Sequence, residues 1–379
     1  MDFELSSEQK DVQGAAMEFA QGEFDPDWAL ELDQNGEFPE SIWKKACQLG
    51  FIGVHYPEEF GGQGLGLFEN VLVIEAFCRV DSGIGSALSM VDIGSEVILK
   101  FGSHEQKMNL VLPLAKGKKR LSVAFAESED ERDLSSILTT AEKRGEGYLI
   151  HGRKQFVLNV SLSNAFIILC KEAKEGWTTL IAERGNGGIE IHPIEKIGLR
   201  MVPFGDLYLK EVRVPFENRV GGEGEGIAHV NHYHKVMGLR SIAQALGMAQ
   251  GALDRTIKYS KQREQFGRKL SQFQVIQHKV ADMAVSIEVA RWFTYKLATE
   301  FDQERTDFGF LSMAQLDVGR KLISVVDEAV QIFGGYGYMA DQAIERYFRD
   351  AWAMIVELGT EEELKDVIAD GLLRPLNKK

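Results

Sequence analysis

The spacing of apolar residues changes twice along this chain of 379 residues, and the change limits the folds it can adopt. In the first and last parts, apolar side chains recur every three or four positions, which is typical of amphipathic helices. The part between them has short β-branched and aromatic runs separated by glycine, asparagine and charged turns, which predict strands. The sequence therefore predicts an α+β protein with an N-terminal α-helical domain (1–120), a middle β domain (121–226) and a C-terminal α-helical domain (227–379).

The same pattern gives the individual elements. In the first part we expect helices at 8–24, 38–49, 70–79 and 95–101. In the middle part we expect strands at 148–150, 155–158, 165–169, 178–181 and 207–209. In the last part we expect long helices at 241–262, 272–301 and 309–333, then a shorter one at 343–356. Long helices with so few charges favour packing against a second subunit.

Composition and charge exclude several functions. The net charge is −14, with 57 acidic and 43 basic residues, which argues against nucleic-acid binding. No apolar run approaches the roughly 20 residues of a membrane span, and the N-terminus resembles no targeting peptide, so we expect a cytoplasmic protein. The three cysteines are widely spaced and predict neither disulfides nor a zinc site: Cys47, Cys78 and Cys170.

Two segments suggest a ligand site only superficially. The glycine-rich run at 221–226 is acidic, so it would repel a pyrophosphate and is interpreted as a turn. His229, His232 and His234 fall on different faces of a predicted helix, whereas zinc needs ligands that converge. We therefore expect no metal site.

A segment near the end of the chain carries the first family motif. It reads Arg349-Asp350-Ala351, six further residues, and then Leu358-Gly359-Thr360. The segment resembles the C-terminal signature of the acyl-CoA dehydrogenases, Arg-Asp-Ala followed by Glu-Gly-Thr. In that family the glutamate removes the α-proton of an acyl-CoA thioester while a hydride leaves the β-carbon for flavin N5. Leu358 takes the place of that glutamate, and an aliphatic side chain cannot accept a proton.

Two other segments, 262–274 and 331–337, resemble the Arg-x-x-Phe-Gly…Phe-Gln and Gln-x-x-Gly-Gly-x-Gly segments of the same family. The resemblance implies that both contact the FAD of a neighbouring subunit. An arginine fork suits a pyrophosphate, and glycines let the backbone approach the adenosine half closely. The candidate FAD contacts are Arg263, Phe266, Gln274, Gln331, Gly334 and Gly335, to which the resemblance adds Thr360 and Glu362.

The middle domain resembles the family in a loop at 124–136 and a strand at 156–159. Two threonines whose hydroxyls touch the flavin ring in relatives are replaced by Ala126 and Leu158. Backbone amides can still bond the ring, so we expect FAD binding with an altered flavin potential. The candidate contacts here are Phe125, Ala126, Arg132, Phe156 and Leu158, and Arg132 replaces a serine near the phosphates.

The resemblance covers essentially the whole chain. It implies the acyl-CoA dehydrogenase fold, with a β-barrel-like middle domain and a C-terminal four-helix bundle. It also implies a homotetramer with one FAD per subunit, an acyl-CoA substrate, and electron transfer flavoprotein as the electron acceptor.

The helix at 241–262 and the residues before it lack two functional side chains of the family. Counting back from Gly247, the arginine that meets the adenosine end of CoA falls on Gly238, and the nearby arginine is Arg240. Some relatives carry the base one residue before that arginine, where this chain has Met237. The candidate substrate-binding residues are Asp92, Arg132, Arg240, Leu358 and Gly359.

Two carboxylates are candidates for a displaced base. Glu357 adjoins the missing position, but neighbours on a helix point about 100° apart, and a paired or solvated glutamate is the alternative. Asp92 lies in a segment that lines the acyl cavity in relatives, and the sequence predicts a lone carboxylate among Met90, Val91 and Ile93. Apolar surroundings favour the protonated form of a carboxyl group, which suits a base near neutral pH. The alternative role of Asp92 is a helix N-cap.

The missing glutamate also suggests a substrate. A base above the α-carbon is useless when that carbon has no hydrogen, as in cyclohex-1-ene-1-carboxyl-CoA. Loss of a proton from C3 and of a hydride from C6 would give cyclohexa-1,5-diene-1-carboxyl-CoA by 1,4-elimination. Asp92 together with Leu358 resembles the cyclohex-1-ene-1-carboxyl-CoA dehydrogenases of anaerobic aromatic degradation. That resemblance implies an aspartate base and onward oxidation to benzoyl-CoA as a second activity.

Three alternatives remain open. An ordinary α,β-dehydrogenase would use Glu357 as its base. A catalytically silent FAD-binding partner protein would bind flavin without reacting with a thioester. A flavin oxidase acting on a non-CoA acid is the third.

Overall fold

The N-terminal domain is helical, and its helices begin at the residue types that cap helices. In the computed structural model, which describes residues 4–127, 137–172 and 176–373, Ser6 forms a capping box with Gln9, and Asp25 caps a helix that starts at Pro26. The helices of this domain are α1 (Ser7–Glu23), α2 (Pro26–Asn35), α3 (Glu40–Gln48), α4 (Leu67–Val80), α5 (Ser82–Ser89), α6 (Ser95–Phe101), α7 (His104–Gln106) and α8 (Leu112–Ala115).

The middle domain is a β-sheet, and its strands lie along the chain between the two helical regions. Its strands are β1 (Leu121–Ala124), β2 (Thr140–Arg144), β3 (Gly147–Leu158), β4 (Ala165–Glu172), β5 (Gly176–Glu183), β6 (Ile189–Pro193) and β7 (Phe204–Pro215). The order is β1-β4-β2-β3-β7-β6, and β5 pairs with β4. Apolar residues of these strands form their own core, which includes Phe166, Ile168 and Leu207.

The C-terminal domain starts with a helix much longer than the sequence predicted. Helix α9 (Gly226–Gln262) begins fifteen residues before the expected start at 241. The added stretch is polar, so its apolar period is weak, and packing against the N-terminal domain stabilises it. A short hairpin of β8 (Glu264–Gln265) and β9 (Arg268–Lys269) follows, then α10 (Gln274–Asp302), α11 (Phe308–Phe333), α12 (Ala343–Leu358) and α13 (Glu361–Leu373).

The predicted order of helices, strands and helices is confirmed, and so is the α+β class. The acidic glycine run is a turn that ends where α9 begins, as expected. The three cysteines are free and buried, and burial raises the pKa of each thiol to about 12. Within the described ranges, no helix combines the length and the apolar character that a membrane crossing requires.

Helix α12 is tied to both other domains by Asp350. One oxygen of this buried carboxyl accepts a hydrogen bond from Ser82 Oγ (2.6 Å), and the other accepts one from the Leu199 amide (2.6 Å). Nearby, Arg346 pairs with Asp81, so a second buried contact joins α12 to the start of α5. Burial raises the pKa of Asp350 to about 6.

The raised pKa predicts a pH-dependent stability difference between the wild type and Asp350→Asn. Because the folded state favours the protonated carboxyl, this stabilisation is present below the unfolded pKa of about 4 and is lost as the pH rises through about 6. Two pKa units correspond to about 3 kcal/mol. Urea unfolding measures the free energy of unfolding. Between about pH 4 and pH 7, that of wild type should fall by this amount relative to that of Asp350→Asn. If the difference between the two proteins did not change with pH, the assignment would be contradicted.

Candidate active site

Asp92 is buried and has two hydrogen-bonding partners. It lies in the turn between α5 and α6, with 2% of its surface exposed. Arg240 of α9 donates from Nη2 to Oδ1, and Tyr56 donates from its hydroxyl to Oδ2 at 2.7 Å. The expectation that Asp92 stands alone among apolar side chains is therefore wrong. The N-cap role does not apply either, since Gly94, with φ +92°, occupies the cap of α6.

The two partners of Asp92 are in their hydrogen-donating forms. Burial raises the pKa of Tyr56 well above its usual value, and the charge of Asp92 raises it further. Burial lowers the pKa of Arg240, but pairing with Asp92, together with nearby Tyr56 and Glu96, leaves it above its usual value, so the guanidinium stays charged. One cation and one hydroxyl thus donate to the two oxygens of Asp92, which is the arrangement that a carboxylate accepts.

Arg240 points into the interior. Only 2% of its surface is exposed, and Nη2 also donates to the Ser89 carbonyl. A guanidinium held there does not take over the contact with the adenosine end of CoA that the family's arginine makes. Arg240 contributes to the surroundings of Asp92 instead.

Leu358 ends α12 and is packed against α11. Its exposed fraction is 1%, and its carbonyl accepts a hydrogen bond from Gln315 Nε2 at 3.0 Å. A Cβ added at Gly319 would lie 3.3 Å from Leu358 Cδ1, so α11 and α12 approach closely here. Glu357, the neighbouring residue, is half-buried and already has an interaction partner. The position of the family's glutamate is therefore apolar and filled.

Helix α9 lies between Asp92 and Leu358. A Cβ added at Gly238 would lie 3.1 Å from Gln315 Nε2, the same amide that bonds Leu358. Residues two positions apart on a helix point about 200° apart, so Arg240 projects from another side of α9 than Gly238 does. Asp92 and Leu358 therefore approach α9 from different sides.

The predicted flavin-binding loop of the middle domain is fixed by a buried lysine. Lys154 donates to the Phe125 carbonyl at 3.1 Å and pairs with Glu127 at 2.6 Å. The backbone amide of Gln155 donates to the Ala126 carbonyl at 2.9 Å. Burial raises the pKa of Glu127, but Lys154 and the hydrogen bonds from Thr139 and Leu138 together bring it below its usual value, so Glu127 remains ionised. Arg132 lies outside the described residues.

The second predicted flavin-binding segment lies beside the first. Phe156 has a φ of +58° and stacks on Phe204, with ring centres 5.9 Å apart. Leu158 pairs with Phe204 across β3 and β7, and its carbonyl accepts a hydrogen bond from Ser122. With Ala126 buried and Leu158 half-buried, neither presents a hydroxyl group to a ligand.

Two contacts join these flavin-binding segments to the surroundings of Asp92. Asn159, which follows Leu158, donates from Nδ2 to the Met90 carbonyl at 2.6 Å, two residues before Asp92. The rings of Phe125 and Tyr233 of α9 are 5.3 Å apart.

Residues on one face of α9 contact both the predicted flavin-binding loop and Asp92. Tyr233, Met237 and Arg240 are spaced i, i+4 and i+7, so they share that face. Tyr233 contacts Phe125, and Arg240 pairs with Asp92. Met237, the second base position of the family, lies between them.

The structure brings together the two C-terminal segments that were predicted to contact FAD. Arg263, Gly334 and Gly335 line one cavity of about 610 Å³, in which the Arg263 guanidinium lies 5.2 Å from the ring centre of Tyr336. Gly334 has a φ of +60°, which favours glycine, and a Cβ at either glycine would meet no protein atom within 4 Å. A cation, aromatic rings and bare backbone fit a pyrophosphate and adenosine.

Other predicted FAD contacts lie outside this cavity. Phe266 is 94% exposed, and Gln274 and Gln331 are also exposed. Thr360 directly precedes α13 and Glu362 lies in its first turn, and neither lines the cavity. All five remain predictions. Elsewhere in the described part of the chain, no cluster of histidine, cysteine, aspartate and glutamate is placed to hold a metal ion.

Sequence reasoning missed three residues of this site. Tyr56 bonds Asp92 from a distant segment, and no local pattern identifies it. Asn159 belongs to the strand motif at 156–159, but the motif does not indicate its bond to the Met90 carbonyl. The link between Tyr233 and Arg240 was accessible, since their helical spacing can be counted once α9 is extended to residue 226.

The Arg263 assignment can be tested directly. Arg263→Gln removes a charged hydrogen-bond donor, worth about 1.5–3 kcal/mol, so FAD affinity should fall about 10- to 100-fold. Reconstitution of the apoprotein with FAD measures this. The matched control is Arg268→Gln in the same hairpin, where Arg268 is exposed and stacks on Phe273. Equal FAD affinity in the two variants would remove Arg263 from the site.

Comparison with known proteins agrees with this architecture. Family models of the acyl-CoA dehydrogenase N-terminal, middle and C-terminal domains match residues 6–118, 122–212 and 224–373. A 3-(aryl)acrylate reductase of Clostridium sporogenes is 34% identical over 96% of this chain and 98% of its own. Subunit CarC of the caffeyl-CoA reductase-Etf complex of Acetobacterium woodii is 32% identical over 98% and 99%. The structure of butyryl-CoA dehydrogenase from Megasphaera elsdenii superimposes with a TM-score of 0.93 and 31% identity, covering 99% of this chain and 100% of that one.

The fold and its cofactor cradle define a flavin-dependent oxidoreductase that acts on CH–CH groups. The chain belongs to the acyl-CoA dehydrogenase family. Its cofactor is FAD, and the predicted family is confirmed. Leu358 stands where the family resemblance places the catalytic glutamate.

Proposed function

We propose that the protein dehydrogenates a cyclic enoyl-CoA thioester by 1,4-elimination and that Asp92 accepts the proton. The substrate that fits best is cyclohex-1-ene-1-carboxyl-CoA. The observation that carries this proposal is one face of α9. Along that face, Tyr233 contacts the predicted flavin-binding loop, Met237 comes next, and Arg240 pairs with Asp92. Arg240, which pairs with Asp92, lies one helical turn from Met237, the position to which the family resemblance assigns the base of some relatives.

The chemistry requires a base away from the α-carbon. C1 of the substrate is sp² and has no hydrogen, so the acidic hydrogen is the one on C3. Its removal gives a dienolate, and departure of a hydride from C6 leaves cyclohexa-1,5-diene-1-carboxyl-CoA. Two hydrogens and two electrons leave the ring: the proton goes to Asp92, and FAD, when bound, supplies the hydride acceptor.

Each residue near Asp92 has a role in this scheme. Arg240 and Tyr56 each donate a hydrogen bond to one oxygen of Asp92 and so orient its carboxyl group in the protein interior. Leu358 places an inert group where other family members carry their base, so a saturated acyl chain finds no proton acceptor there. Asn159 joins the Asp92 turn to the predicted flavin-binding strand.

Electron transfer flavoprotein is the proposed electron acceptor, and a homotetramer is the proposed assembly. The acceptor is supported by the relative of Acetobacterium woodii, which is named as a subunit of a reductase-Etf complex. The assembly is supported by the cavity at Arg263, which the family resemblance assigns to the FAD of a neighbouring subunit.

A reductase acting on a 3-arylacrylyl thioester is a second candidate, because one relative is named a 3-(aryl)acrylate reductase and another a subunit of a caffeyl-CoA reductase-Etf complex. Reduction of an acrylyl group delivers a proton to the α-carbon. Leu358 offers no proton there, so this activity would depend on Glu357 or another donor.

Anaerobic titration of the yellow protein distinguishes these functions. We expect cyclohex-1-ene-1-carboxyl-CoA to bleach the flavin absorbance and a saturated straight-chain acyl-CoA to leave it unchanged. Bleaching by the saturated thioester would favour Glu357 as the base. Bleaching by neither thioester would leave two functions. If cinnamoyl-CoA reoxidised the reduced protein, the reductase would be indicated. If it did not, a silent FAD-binding partner would be favoured.

A further inference from the structure

A small internal cavity lies next to the Arg240–Asp92 pair. Its volume is about 10 Å³, and Asn70 of α4, Asp92 and Arg240 line it together with apolar side chains such as Ile74 and Phe77. Residues of α4, α5 and α9 line it, together with the turn that carries Asp92 and the loop at 51–53.

Two polar atoms of the lining residues have no hydrogen-bond partner among the residues that the structure describes. They are Asn70 Oδ1 and Arg240 Nε, and both are buried. Nε of an arginine can only donate a hydrogen bond, and Oδ1 of an asparagine can only accept one. Leaving either group unsatisfied in the interior is unfavourable. The pair is complementary to a small molecule that both accepts and donates.

We propose that this cavity is a binding site for one water molecule. The water accepts a hydrogen bond from Arg240 Nε and donates one to Asn70 Oδ1. A volume of about 10 Å³ is close to the lower limit for holding one water molecule. The polar atoms of the lining give it the two or more partners that an internal water needs.

The water makes Asn70 a positioning residue for Asp92, a step that rests on the proposed function. Nη2 of Arg240 is fixed by Asp92 and the Ser89 carbonyl. The water fixes the Nε side of the same guanidinium. When Asp92 takes up a proton the ion pair weakens, and the hydrogen bond through the water keeps Arg240 in place for the next turnover.

The water itself is tested by high-resolution crystal structures of the FAD-loaded protein. In wild type we expect electron density for a water within hydrogen-bond distance of Arg240 Nε and Asn70 Oδ1. In Asn70→Leu, which removes the acceptor and fills the space, this density should disappear. Absence of the density in wild type would overturn the water site, whatever the enzyme's activity.

The positioning role is tested by the pH profile of flavin reduction by cyclohex-1-ene-1-carboxyl-CoA. We expect Asn70→Leu to slow reduction about tenfold and to move the acidic limb of the profile to higher pH, because a less restrained Arg240 stabilises ionised Asp92 less. Gln244→Leu is the matched control, since Gln244 is a buried amide one turn further along α9 that is not part of the cavity lining. It should leave the limb unmoved.

The outcomes separate the two proposals. If Asn70→Leu loses the water but keeps both the rate and the profile, the positioning role is wrong. If Gln244→Leu shifts the limb as far as Asn70→Leu does, the effect is general to buried amides and the role is equally wrong. If the cyclic thioester fails to reduce the wild type, the proposed function fails and the positioning role with it, while the electron density still decides the water site.

Discussion

Asp92→Asn is expected to slow the reduction of FAD by cyclohex-1-ene-1-carboxyl-CoA about 10²- to 10⁴-fold, the contribution that a positioned base typically makes. Asparagine keeps the size of the side chain and an oxygen that can accept the hydrogen bond of Tyr56, but it cannot take up a proton. Anaerobic stopped-flow absorbance measures the rate of bleaching. The titration midpoint with the thioester shows separately whether binding is retained.

Glu357→Gln is the matched control, because it removes a carboxylate one residue from Leu358 with the same change in shape. We expect it to reduce FAD at a rate close to that of wild type. Flavin content and melting temperature must be compared in both variants, since Asp92→Asn leaves the buried Arg240 without its counter-ion. Full activity in Asp92→Asn, or a larger loss in Glu357→Gln, would transfer the role of base to Glu357.

Arg240→Met is expected to lower the free energy of unfolding by about 3–5 kcal/mol. Removing one partner of a buried ion pair leaves the other charge in the interior without compensation, and this is the range found for such changes. Asp92 would retain the hydrogen bond from Tyr56 but lose its cation. Urea unfolding of the FAD-loaded protein, followed by far-UV circular dichroism, measures the change.

The double variant Asp92→Asn/Arg240→Met provides the control. With both charges removed, we expect it to be more stable than Arg240→Met alone, so the two single effects should not add. Additive losses, or an Arg240→Met variant as stable as wild type, would show that the two side chains are not paired in solution.

The sequence predicted the helical and sheet regions because their apolar periods are strong. Helix α6 was predicted to begin and end where it does, at Ser95–Phe101. Helix α2 was missed because Pro26–Asn35 is mostly polar and only a few of its side chains reach the core. Strand β6 was missed for a similar reason, since Ile189–Pro193 lies at the edge of the sheet with alternate residues exposed.

The surroundings of Asp92 could not be predicted from its neighbours in the chain. Met90, Val91 and Ile93 suggested an apolar environment, and they are indeed buried. The groups that pair with Asp92 come from 36 and 148 residues away, Tyr56 from a loop and Arg240 from α9. Local periodicity carries no information about such contacts. The family motifs, by contrast, have roles tied to sequence positions, and they predicted that Arg263 and the glycines at 334 and 335 belong to one site.

The contacts of Asp350 affect how the protein opens as well as how stable it is. Unwinding α12 would break the bond to Ser82 in the N-terminal domain and the bond to Leu199 in the middle domain at the same time. Local opening next to Leu358 therefore approaches the free energy of global unfolding. Few molecules would have α12 unwound while the rest of the protein is folded. A protease should therefore cleave within α12 only when the whole protein unfolds.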